Sequence, residues 1–138
     1  MLELCLRLSR YKKENKELLS YLLFESSDEQ AFIRGVKREV DEQFEQINRT
    51  SSYFIKKSIR KILKNIRKYI RYSHKKETEV ELLLYFCSRL NQFNPPIHNI
   101  AALRNLYDKQ IATIRKTMLS LHEDLQYDYG KELEKLIH

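Results

Sequence analysis

IKKSIRKILKNIRKYI, residues 55–70, admits two opposed readings. Its isoleucines are β-branched and favour a strand. Yet Ile55, Ile59, Ile62, Leu63, Ile66 and Ile70 recur at intervals of three and four, over a longer run than a strand usually spans. Period outranks propensity, because intrinsic preferences are small beside the burial of a continuous stripe. The stretch is a helix. It starts after the turn NRTSS (48–52), whose Ser and Thr can cap exposed amides, and stops near SHKKE (73–77), giving a helix over 52–75.

The same spacing extends in both directions. Upstream, Phe32, Val36, Val40, Phe44 and Ile47 predict a helix over 28–47. Ser27 and Gln30 have capping-box spacing there, and Asp28 and Glu29 sit where a helix start favours negative charge. Gly35 lowers helix propensity and would permit close packing of a neighbour. A first helix, from near Leu4 or Ser9, ends with Leu18, Leu19, Leu22 and Leu23. Downstream, Thr78 and Glu81 form a second capping box before EVELLLYFCSRL (79–90), apolar on most of its circumference and so expected at the centre. NQFNPPIHN (91–99) ends it, since Asn94 precedes Pro95 and two prolines forbid continuation. Leu103, Tyr107, Ile111, Ile114, Met118, Leu121 and Leu125 then predict one long helix from about Asn99 to Tyr127. Gly130 is its expected stop, and KELEKLI (131–137) adds a last short turn.

Composition agrees. The chain has 138 residues, 42% hydrophobic, with two Gly and two Pro, too few turn-formers for an all-β sandwich. The expected fold is all-α: a single compact domain over 1–138, a bundle of about five main helices, mostly antiparallel neighbours, with a possible short sixth helix at the C-terminus. No stretch reaches the roughly 18 uninterrupted apolar residues of a membrane span, and MLELCLRLSR (1–10) lacks a signal-peptide core. Cys5 and Cys87 have no metal-ligand spacing. A cytoplasmic protein without disulfides is expected.

Charge is segregated. The net charge is +7, but residues 46–76 hold eleven Lys and Arg and no acid, while the remaining chain has 15 basic against 19 acidic residues. At about 100° per residue, Lys57, Lys61, Lys64, Lys68, Arg71 and Lys75 fall within roughly 40° of one line, opposite the apolar stripe. Lys56, Arg60 and Arg67 widen one flank, and Tyr72 sits beside the other. No acid within the helix can pair with this row.

Three readings follow. Acids of the preceding helix (Glu39, Asp41, Glu42, Glu45) could neutralise the row across a helix hairpin. An acidic protein surface could bind it, including a second copy of this chain presenting LHEDLQYDYGKELEKL (121–136). A nucleic-acid backbone could follow it without sequence preference. A membrane surface fits less well, because the apolar side is needed for the core and the chain has no Trp.

Catalytic chemistry finds little support. His122, Glu123 and Asp124 are consecutive and cannot all face one ion, so a solvated or capping His122 is expected and no metal is assigned. Arg67 and His74 have six residues between them, as do Arg115 and His122. That pattern resembles the active-site signature of small all-α ribonucleases of the HEPN type, which implies an Arg–His pair lining a pocket or dimer cleft. With eleven Arg and four His, about one such spacing arises by chance, so no catalytic residue is taken from it. There is no Gly-rich phosphate loop, and no small molecule or cofactor is indicated. The expectation is a non-catalytic interaction or scaffolding protein that binds an acidic macromolecule through the basic face of helix 52–75. Sequence-nonspecific binding of RNA or DNA is the alternative.

Overall fold

A computed structural model describes residues 28–137, so the expected helix ending at Leu23 lies outside the described residues, as do Ser27 and Cys5. Helix α1 spans Glu29–Glu45 and buries Phe32, Ile33, Val36, Val40 and Phe44. Its cap is Asp28, one residue later than expected, whose Oδ1 accepts from the Ala31 amide at 3.0 Å. Gly35 is exposed, and no described atom lies within 4 Å of where its Cβ would stand. The anticipated close approach at this glycine does not occur among the described residues.

Helix α2 spans Ser52–Ser73. Asn48 Oδ1 accepts from both the amide and the hydroxyl of Thr50, and Ser51 Oγ caps the helix by accepting from the Phe54 amide. Ile55, Ile59, Ile62, Leu63 and Ile66 are buried, so the isoleucine stripe is a helix face. The helix ends two residues before the expected Lys75. His74 adopts a left-handed conformation (φ 58°) while its amide donates to Ile70 O at 3.1 Å.

That reversal starts helix α3, Lys76–Asn91, before Thr78. Thr78 therefore lies within the first turn and is not a cap. It is 1% exposed, and its hydroxyl donates to Glu29 Oε1 at 2.7 Å. The apolar circumference of α3 is explained by its position: it packs against α1, α2 and two later helices. Phe93 and Ile97 are buried on either side of a cis Asn94–Pro95 bond, and a 3₁₀ turn, Ile97–Asn99, leads on.

The long helix expected over 99–127 is two. Helix α4 is Ala101–Met118 and helix α5 is Glu123–Ile137. Thr117 O accepts from both the amide and the hydroxyl of Ser120, folding the chain into a turn that leaves Leu119 exposed. His122 restarts the helix, its Nδ1 accepting from the Asp124 amide at 3.2 Å, which is the capping role its position suggested. Gly130 lies inside α5 and stops nothing. Periodicity could not show this break, because Met118, Leu121 and Leu125 keep the three-and-four spacing across it.

Cross-helix bonds set the directions. Glu29 meets Ser73 and Glu39 meets Tyr69, so α1 and α2 are antiparallel. Asn91 meets Tyr107 and Glu79 meets Thr117, so α3 and α4 are antiparallel as well. Tyr129 reaches Glu81 and Leu136 reaches Asn91, which aligns α5 with α3. Lys37 with Glu81 and Asp41 with Tyr85 align α1 with α3. Consecutive helices thus alternate in direction around one shared core, an all-α bundle.

Candidate functional site

The basic row occupies the outer side of α2. Lys57, Lys61, Lys64 and Arg71 are exposed, and Lys68 is partly so, its ammonium 5.2 Å from the centre of the Tyr69 ring. Lys75 lies beyond the helix end and pairs with Glu29 at 3.4 Å. Tyr72 does not belong to the surface. It is 8% exposed and packs edge-on against Tyr69, whose ring in turn meets Phe32 of α1. The apolar arc of α2 is wide enough on that side to draw Tyr72 into the core.

Three of the acids that could have covered the row have partners elsewhere. Glu39 accepts from the Tyr69 hydroxyl at 2.7 Å, and Asp41 accepts from the Tyr85 hydroxyl at 2.6 Å while lying 3.3 Å from Arg89. On α5, Glu132 pairs with Lys135 of its own helix. Among the described residues, Lys57, Lys61 and Lys64 have no carboxylate within ion-pairing distance. Lys68 and Arg71 are set apart from these three, since both have interactions of their own.

Two features beside the row were not anticipated as site elements. Tyr53 and Phe54 open α2 with 63% and 42% of their surface exposed, their rings edge to face at 5.3 Å. Along the flank, a cleft of about 580 Å³ separates α2 from α4, lined by Arg60, Arg67 and Lys109 around Leu63 and Leu106. Arg67 Nη2 donates to Oε1 of Gln110, which is 2% exposed, at 2.6 Å. A faint signal was present in the sequence: Tyr53, Arg60 and Arg67 are seven residues apart and so share one side of the helix.

Comparison with family models, with curated proteins and with solved structures finds no match to this chain.

Other clefts offer less. One of about 560 Å³ between α1, α3 and α5 holds Lys37, Glu81, Tyr85, Tyr129 and Lys135. Its tyrosines are held protonated. Burial, followed by the hydrogen bond to Asp41, pushes Tyr85 up to about 12, and burial with Glu81 and Glu77 raises Tyr129. They are donors there, not bases. A third cleft, about 640 Å³, brings Arg115 beside His98 and Tyr107. Of the residues with the ribonuclease-like spacing, Arg67 bonds Gln110, His74 sits at an exposed turn, and His122 caps α5. Among the described residues no cluster of three or more His, Cys, Asp or Glu could hold a metal ion, and no helix is long and apolar enough to cross a membrane.

Proposed function

We propose that this chain is a non-catalytic helical binding module that engages an acidic macromolecular partner through the outer face of α2. The observation that carries the reading is the open state of Lys57, Lys61 and Lys64, which no described carboxylate neutralises. Their mutual repulsion is relieved by water and salt in the free protein, and by an anionic surface in a complex. Two chemistries present such a surface: an acidic protein face, a second copy of this chain included, and a nucleic-acid backbone.

Heparin chromatography tests the reading against net charge alone. The triple variant Lys57→Glu, Lys61→Glu, Lys64→Glu is compared with Arg34→Glu, Arg38→Glu, Lys131→Glu, which alters three exposed cations away from α2. The first should elute at clearly lower salt than the second. Equal elution of the two, or no retention of the unmodified protein at low ionic strength, refutes a specific basic face.

A further inference from the structure

We infer that the acidic partner is a single-stranded nucleic acid, whose backbone follows the cleft between α2 and α4 and whose bases stack on Tyr53 and Phe54. This rests on the reading of α2 as an anion-binding face and names its ligand.

Three observations converge. First, exposed Tyr53, whose ring meets that of Phe54 edge to face, adjoins cations: Tyr53, Lys56, Lys57 and Arg60 line a shallow hollow of about 460 Å³. Second, Arg60 also lines the α2–α4 cleft, so the hollow and the cleft share a wall and form one track. From Tyr53 to Arg67 that track runs about 21 Å, at 1.5 Å per residue. Third, no carboxylate among the described residues lines either part of it, while Arg60, Arg67 and Lys109 surround the cleft. The bond to buried Gln110 holds the Arg67 guanidinium in place, and a positioned guanidinium is suited to forked contacts with phosphate oxygens.

The aromatic pair selects among anions. Rings set beside a basic groove are the stacking platforms of single-strand binders, because every unpaired base offers a π-face and a paired one does not. An acidic peptide offers such a face only where it carries an aromatic residue, whereas every nucleotide of a single strand offers one. With Leu63 and Leu106 on its floor, the cleft also accepts the less polar sugar edge of a strand.

Fluorescence anisotropy at low salt supplies the test, with three labelled probes of equal length: oligo-uridine of about 12 nucleotides, the corresponding duplex, and poly-glutamate. The single strand should bind most tightly. Tyr53→Leu with Phe54→Leu should weaken it by at least about fivefold, as lost base stacking requires. The same variant should leave duplex and poly-glutamate binding unchanged. Arg60→Gln with Lys109→Gln should weaken the single strand and flatten its salt dependence. Circular dichroism confirms that each variant is folded; both sites are at the surface. Equal affinity for single strand and duplex, or an unchanged leucine variant, overturns the inference while the basic face stands. Tighter binding of poly-glutamate than of either nucleic acid also overturns it, in favour of an acidic protein. Binding of none of the probes removes both the inference and the reading beneath it.

Discussion

At the scale of single residues, Glu29 carries more than its place in the sequence suggests. Near a helix start it reads as an acid favoured by the macrodipole. In the fold it accepts from Ser73 Oγ at 2.5 Å and from Thr78 Oγ1 at 2.7 Å, and lies 3.4 Å from Lys75 Nζ. It ties the beginning of α1 to the turn joining α2 and α3. Glu29→Ala would strand the buried hydroxyls of Ser73 and Thr78, at about 1–3 kcal/mol for an unsatisfied buried group. A urea titration should show that loss in the unfolding midpoint, and Glu29→Gln, which keeps an acceptor, should lose less. An alanine variant as stable as the parent would show that water satisfies those hydroxyls. None of this was legible beforehand. Glu29 and Thr78 are 49 positions apart, and Thr78 had the spacing of a cap.

At the scale of helices, the interior of α5 is the place to probe. A Cβ added at Gly130 would stand 3.9 Å from the Met118 methyl, an ordinary contact, and the residue lies within a continuous helix. Gly130→Ala should therefore stabilise the protein by up to about 1 kcal/mol, the difference in helix propensity. Gly35→Ala on α1 should act similarly, since nothing described crowds that position. Thermal melts should show both midpoints rising. A fall for Gly130→Ala would mean the chain ends its helix there, as sequence alone suggested. The faces of α1, α2 and α4 were legible, because each apolar stripe is a local pattern. Helix ends were less so. The α4–α5 break depends on a turn at Thr117–Ser120 that interrupts the backbone without interrupting the stripe.

At the scale of the molecule, the buried protonated groups predict alkaline sensitivity. Burial pushes Cys87 from 9.0 up to about 12, and burial with Asp41 pushes Tyr85 from 10.0 up to about 12. Tyr129 is raised in the same direction. Between the unfolded and folded values, the folded state keeps protons that the unfolded chain releases, so stability falls as pH rises. Their stabilisation is complete below about pH 9 and is lost as pH climbs toward 12. Urea midpoints measured from pH 8 upward should decline through that window, and Tyr85→Phe should decline less steeply. A flat profile would show that these groups are hydrated in solution.

The amino-acid order alone determined that the chain is all-α, which side of α1, α2 and α4 is apolar, and that its positive charge is concentrated on 46–76. These are properties of neighbours three and four apart, and a local rule can read them. Only the tertiary structure decided that Tyr72 is buried, that Lys75 is paired, and that Lys57, Lys61 and Lys64 lack a described carboxylate partner. It alone brought Lys109 and Gln110 of α4 against Arg60 and Arg67 of α2. The reason is physical: whether a charge is cancelled depends on what packs beside it, and packing joins residues more than forty positions apart that no local pattern connects.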